Sequence, residues 1–252
     1  MRIGAILQGR MGSTRLPGKV LMTVDNTHPV LYYVLNQLGF CNQLDTIIVA
    51  TTTLKEDDKI AKFVESLNIE CFRGHPSDVL DRYYHCAKKY SLSTIVRITC
   101  DDPLIDPTIV DMMIDKFDSD LYDIASNCVN FDRTYPAGTE VEVFSFNALE
   151  KAWKNAIKSS DREHVTPYFY NQQDKFKLLN VKYTENISHL GWTVDRIEDL
   201  DLVRLISTRI KKRPILMSDI LELFSNEPSL IEINKGHNPH EGLLKSLKED
   251  QR

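Results

Sequence analysis

The segment Thr46-Ile47-Ile48-Val49-Ala50-Thr51 offers an almost unbroken apolar run, with no polar face on either side of a pleat. Such a run suits a strand covered on both sheet faces, which is the habit of parallel sheets. Amphipathic stretches flank it. Pro29 to Phe40 places Val30, Val34 and Leu38 at helical spacing, and Glu56 to Leu67 does so with Ile60, Phe63, Val64 and Leu67. Ile3 to Gln8 reads as a first strand, Ile69 to Phe72 as another, and Ser93 to Thr99 as a further one. Strands alternating with helices predict βαβ units and an α/β fold on a parallel sheet. Ser77 is the expected N-cap of the helix carrying Val79, Tyr83 and Ala87, and Pro107 to Phe117 is the next helix.

Between about 120 and 190 the alternation loosens. Short strands near Ile124 and Val141, a helix from Asn147, a helix near Arg162 to Tyr170 and a strand at Lys177 to Tyr183 suggest an inserted α+β extension over one sheet edge. After Asp195 the helix Asp199 to Ile210 follows, then two short closing helices, Ser218 to Phe224 and His240 to Leu247. A chain of 252 residues fits one large domain, residues 1–252, with 120–190 as its appendage.

Lys and Arg total 31 against 36 Asp and Glu, a net charge of −5 that argues against a broad surface for nucleic acid. Any phosphate site must be local. The five cysteines are odd in number and widely spaced, which fits buried reduced thiols rather than a disulfide framework or a zinc knuckle. The longest apolar run, Val30 to Leu35, falls far short of the ~20 residues that cross a bilayer, and Met1-Arg2 leads into no secretory signal. A cytoplasmic location without membrane partners is the expectation.

The most informative segment follows the first strand: Gln8-Gly9-Arg10-Met11-Gly12-Ser13-Thr14-Arg15-Leu16-Pro17-Gly18-Lys19. Three glycines let backbone N–H groups approach an anion, and Arg10, Arg15 and Lys19 supply positive charge, so the loop reads as a phosphate cradle. It is neither the Walker pattern nor the dinucleotide fingerprint. Asp101 and Asp102 stand at the end of a strand, where α/β sheets put ligands, and Asp195 ends a second strand-like run. Each acid could hold Mg²⁺ against a triphosphate or merely cap a helix. His164, flanked by Asp161 and Glu163, could accept a proton or orient a hydroxyl, or serve as a capping histidine; His237 is assigned no role.

These segments resemble the cytidylyltransferase family of sugar-activating enzymes, which includes the CMP-acylneuraminate and CMP-Kdo synthetases, and most closely its spore-coat polysaccharide branch. The anchors are Arg10 to Lys19, Ile48 to Thr51, Arg73-Gly74 with Ser77 to Leu80, Arg97 to Leu104, Tyr135 to Gly138, Glu163 to Pro167, and Thr193 to Asp195 with Glu198 to Leu200. The resemblance spans nearly the whole chain. It implies a three-layer Rossmann-like nucleotide-diphospho-sugar transferase fold, with Mg²⁺ as cofactor and CTP as the favoured nucleoside triphosphate. Arg10, Ser13 and Lys19 match its phosphate-binding positions, and Asp101 and Asp195 its metal-binding pair. Gln8, Gly9, Gly12 and Arg15 complete the expected nucleotide loop, and Ala50, Arg73 and Ser77 fall in segments that line the base pocket. Arg10, Lys19 and Asp101 are the expected catalytic residues, and Glu140, Glu163 and His164 the sugar-side residues. Cys100-Asp101-Asp102-Pro103 departs from the branch's usual Gly-Asp-Cys-Pro, which leaves open which acid meets the metal. Arg133 and Arg162 are candidates for the carboxylate of an acidic sugar.

The expected reaction is attack of a sugar oxygen on the α-phosphorus of the triphosphate with loss of pyrophosphate, for cell-surface polysaccharide or glycan synthesis. The rival is a metal-dependent glycosyltransferase using a nucleotide sugar, for which Asp118-Ser119-Asp120 supplies the letters but lies past a helix, as a solvated turn would. The aromatic residues of the 120–190 region, among them Phe131, Tyr135, Phe144, Trp153 and Phe169, point to a homodimer.

Overall fold

Seven strands form one sheet, in the order β3-β2-β1-β4-β6-β5-β7, in the computed structural model, which describes residues 2–236, 238 and 240–251. The strands are β1 (Ile3–Gln8), β2 (Thr46–Thr52), β3 (Glu70–Gly74), β4 (Thr94–Thr99), β5 (Ile124–Ser126), β6 (Glu142–Ser145) and β7 (Leu178–Asn180). Only β6 runs against its neighbours, so the sheet is mainly parallel, as expected. The helices are α1 (Val30–Leu38), α2 (Asp58–Ser66), α3 (Val79–Lys89), α4 (Pro107–Lys116), α5 (Phe146–Asn155), α6 (Ser159–His164), α7 (Pro167–Tyr170), α8 (Ile197–Arg209), α9 (Met217–Asn226) and α10 (Glu241–Glu249).

Period-two alternation along the strands divides the core between the two faces. Leu7, Val49 and Val96 meet Val34, Ile60, Val110, Val203 and Ile220 from α1, α2, α4, α8 and α9. Ile6, Ile48 and Ile95 meet Tyr83, Leu149 and Phe169 from α3, α5 and α7. Three layers result. Among the described residues no helix is long and apolar enough to cross a membrane.

The chain winds from β1 to β2 to β3 in one direction, then returns over α3 to place β4 on the other side of β1. The order therefore reverses between β1 and β4, and the crevice beyond their carboxyl ends is where such sheets take ligands.

Three expectations need correction. Asp78, not Ser77, caps α3, accepting from Asp81 N at 2.8 Å, while Ser77 is exposed. The 120–190 segment does not lie over a sheet edge: β6 pairs directly with β4, and β5 and β7 extend the sheet beyond it. The helix expected from Arg162 to Tyr170 breaks at Val165, whose φ of 70° ends α6 before Pro167 opens α7. The aromatic load of this region is also explained within the chain. Tyr135, Phe144, Tyr168, Phe169 and Tyr170 are buried, and Trp153 stacks on Tyr84 at 4.0 Å. The cysteines are unpaired thiols, Cys86 and Cys100 buried and the others partly so.

Candidate active site

The glycine loop leaves β1 where the strands crowd. A Cβ on Gly9 would stand 2.7 Å from Cys100 Cβ and Sγ, so the turn from β1 past the end of β4 has room only for glycine. The loop is pinned by the N–H of Met11, which donates to Asp57 Oδ1 at 2.6 Å, and by Gly18 N, which donates to Met11 O at 2.8 Å. Gly18 itself has a φ of 74°, a left-handed conformation that favours glycine. Ser13 is spent on the loop's own turn: its N–H donates to Met11 O at 2.9 Å and its Oγ accepts from Leu16 N at 3.5 Å.

Immediately after this turn, Lys19 opens a 3₁₀ helix and its ammonium is buried between two acids. Nζ contacts Asp101 Oδ2 and lies 2.7 Å from Asp195 Oδ1. Arg15 Nη2 reaches the same Asp195 oxygen at 2.6 Å. One oxygen from each of two carboxylates, 94 positions apart in sequence, thus converges on a single nitrogen. Burial works against the Lys19 charge, but Asp101 and Asp195 outweigh it and hold the ammonium above the usual lysine range. Burial would likewise raise Asp195, yet Lys19 and Arg15 pull it below the ordinary carboxylate range. Neither acid caps a helix. The N–H groups of Asp195 and Arg196 ahead of α8 are taken by Asp199 Oδ2, at 3.0 and 2.8 Å.

The structure separates the two adjacent acids. Asp102 is turned inward, 2% exposed, and accepts from Thr99 Oγ1 at 2.6 Å and Thr193 Oγ1 at 2.8 Å. Burial first, then the negative charges of Glu140 and Asp101, push its carboxyl well above the usual range. Asp101 alone faces the cluster.

Among the described residues no three His, Cys, Asp or Glu side chains gather as a metal cluster. Asp101 and Asp195 form a two-carboxylate donor set around a point already held by a cation. That set suits Mg²⁺, which takes few protein oxygens and fills its octahedron with phosphate oxygens and water.

Around this centre the other candidates divide. Gln8, at the end of β1, accepts from Arg97 Nε at 3.2 Å. Arg10 extends from the loop toward Glu163, with 3.9 Å between Nη2 and Oε1. A Cβ on Gly12 would meet Glu56 Oε1 at 3.0 Å. His164 Nε2 and Glu163 Oε2 both contact Ser246 Oγ of α10, at 3.0 and 2.9 Å. Burial, opposed by Glu163, keeps the His164 imidazole below its ordinary pKa. Glu140 receives Arg133 Nη1 at 2.6 Å and Gly138 N at 2.5 Å. Ala50, Arg73 and Ser77 stand apart along β2, β3 and the turn before α3. Ala50 is wholly buried, and Arg73 donates to Thr52 O, Leu54 O and Asp58 Oδ1 rather than toward the lysine. Arg162 is likewise committed, to Asp78 and to the carbonyls of Trp153 and Ala156. His237 lies outside the described residues. Asp118 and Asp120 occupy an exposed turn after α4, where Asp120 N donates to Asp118 Oδ1 at 2.9 Å.

Sequence reasoning did not find the polar floor of the site. Arg97 of β4 and Glu142 of β6 are paired directly across the sheet and form a buried ion pair. Tyr170 OH donates to the same glutamate and lies 2.9 Å from Ser126 Oγ. Burial, outweighed by Glu142, leaves the Arg97 guanidinium above its usual range. The signal was present as Arg97 inside an otherwise apolar strand, but its partner depends on register with β6.

A glycine loop at the switch point, backed by a lysine between two acids, is the arrangement of an α/β protein of the nucleotidyltransferase type. Residues 4–205 match the model of the cytidylyltransferase family, and the chain belongs to that family. It is similar to the solved structure of a cytidylyltransferase from Leptospira borgpetersenii, with a TM-score of 0.89 and 32% identity over 94% of this chain and 99% of the other. The spore coat polysaccharide biosynthesis protein SpsF of Bacillus subtilis is 29% identical over 88% of this chain and 94% of its own. The 3-deoxy-manno-octulosonate cytidylyltransferase of Thermodesulfovibrio yellowstonii is 26% identical over 82% and 86%. The resemblance read from the sequence motifs is thereby confirmed at the level of the family.

Proposed function

We propose that this protein transfers CMP from CTP to an anionic sugar, a sugar acid or sugar phosphate, with Mg²⁺ and for polysaccharide or glycan synthesis. The observation that carries the reading is Lys19 between Asp101 and Asp195 beneath the glycine loop. The sugar oxygen bonds to the α-phosphorus as the bond to pyrophosphate breaks. Lys19, Arg10 and Arg15 would bind and orient the phosphates, and Asp101 and Asp195 would hold the metal, which would supply charge neutralisation on the phosphate oxygens. The two named relatives act in polysaccharide biosynthesis and on a sugar acid, which supports a saccharide acceptor.

Arg133 supports its anionic character. The side chain is 6% exposed, Glu140 takes only Nη1, and Nη2 is buried without a partner among the described residues. A buried charged donor left unmatched costs free energy that an acceptor oxyanion would recover. Leu121, Phe131 and Ile157, the most exposed large apolar side chains described, all lie in the 120–190 extension and support a homodimer there, which sedimentation would test. We place the enzyme in the cytoplasm, with its nucleotide.

The test is pyrophosphate release from each of the four nucleoside triphosphates with Mg²⁺ and a panel of sugar acids and sugar phosphates. CTP with an anionic acceptor is expected to give pyrophosphate. Release of a nucleoside diphosphate from a nucleotide sugar would instead favour the glycosyltransferase.

A further inference from the structure

The helix α10 packs on α6 beside the candidate site, with its first turn near Arg15, its middle against Glu163 and His164, and its far end on Ser160. At its start Glu241 Oε2 lies 2.9 Å from Arg196 Nη2 and 3.8 Å from Arg15 Nη1. One residue on, a Cβ at Gly242 would stand 3.8 Å from His164 Cε1 and 3.9 Å from Arg15 Nη1. In the middle, Ser246 is buried against Glu163 and His164, and Glu163 is the acid that Arg10 approaches. At the far end Asp250 receives the N–H of Ser160 at 3.1 Å and also its hydroxyl. Beside these polar contacts the helix buries Leu243 and partly buries Leu244 and Leu247.

We propose that α10 is an autoinhibitory strap, whose Glu241 carboxylate, held by Arg196, stands 3.8 Å from Arg15 in the free protein and is displaced when a triphosphate takes that arginine. The proposal rests on the nucleotide site argued above. Its chemistry is competition between anions. A triphosphate drawn to Arg10, Arg15 and Lys19 brings negative charge to the place where Glu241 stands. Like charges cannot share Arg15 without cost, so Glu241 withdraws, and with it the first turn of α10. The contacts of Glu241 that hold the strap's first turn are exposed ion pairs, which are individually weak and can be exchanged for stronger phosphate contacts.

The experiment titrates the full-length protein with CTP and Mg²⁺, and separately with inorganic triphosphate, by calorimetry. Glu241→Gln is expected to bind both probes about two- to fivefold more tightly, the range that exposed ion pairs give. Asp250→Asn, which loosens the strap at the end remote from the loop, is expected to shift affinity in the same direction. Hydrogen exchange of the α10 amides should speed up when CTP is added. Unchanged or weaker binding in Glu241→Gln, an effect confined to Glu241 with none from Asp250→Asn, or slower α10 exchange on CTP binding would each overturn the strap and leave the nucleotide site standing. Failure of the wild type to bind either probe would overturn both.

Discussion

Replacing Lys19 with alanine removes the one cation among the described residues that touches both Asp101 and Asp195. Breaking a buried ion pair by deleting one partner costs ~3–5 kcal/mol when the remaining charge is stranded. Here the strandedness is partial. The two acid side chains are 20% and 26% exposed, and Arg15 keeps its contact with Asp195. A loss of about 2–3 kcal/mol follows, which for a chain of this size lowers the melting temperature by roughly 5–10 °C. Turnover should fall at least about a hundredfold, since a preorganised donor to phosphate oxygens is typically worth ~3 kcal/mol in the transition state. The discriminating measurement is thermal melting at rising Mg²⁺ without nucleotide. In Lys19→Ala the ion can move into the vacated position between the carboxylates, and a ligand at ~100 times its dissociation constant restores ~2.7 kcal/mol. In the wild type the ammonium already fills that position, so the gain should be far smaller. No Mg²⁺ response in the variant would refute the view that these acids form a cation site, and equal responses in the two proteins would refute the view that Lys19 fills it.

Asp102 and Arg133 give further expectations. Because burial holds the Asp102 carboxyl well above the ordinary range, the folded state keeps its proton above pH ~4, where the unfolded chain has released it. The stability gained from that proton is full below pH ~4 and is lost as pH rises toward the folded-state pKa. Asp102→Asn should therefore melt near the wild type at neutral pH and show a shallower decline with pH in this range; a large loss of melting temperature with an unchanged pH slope would contradict it. Arg133→Met should raise the KM for an anionic acceptor by about tenfold or more, as loss of a charged hydrogen bond does, and leave the KM for CTP within about twofold. Arg133→Lys should recover part of the loss, and equal penalties on neutral and anionic acceptors would remove Arg133 from acceptor recognition.

The residues of the glycine loop, Lys19, Asp101 and Asp195 were legible because each sits at a chain position with a local physical signature, either a glycine turn after a strand or an acid at a strand's end. Their convergence was legible only through the resemblance. What sequence reasoning missed was set by register and by distance along the chain. Arg97 meets Glu142 because β6 pairs antiparallel with β4, and Glu241 meets Arg15 across more than two hundred residues. Composition alone does not say which way the aromatic residues of the extension face: Phe144 of β6 and Tyr168, Phe169 and Tyr170 of α7 turn into the core. Ser77 lost the cap to Asp78 because both are good caps and helix starts are the least certain boundaries.

Calorimetric titration of the wild type with CTP across a range of Mg²⁺ concentrations, repeated on Asp101→Asn and Asp195→Asn, bears most directly on the central claim. The wild type is expected to bind CTP more tightly as Mg²⁺ rises, with that dependence lost in both variants. CTP affinity indifferent to Mg²⁺ in the wild type, or a dependence that survives in either variant, would contradict the account.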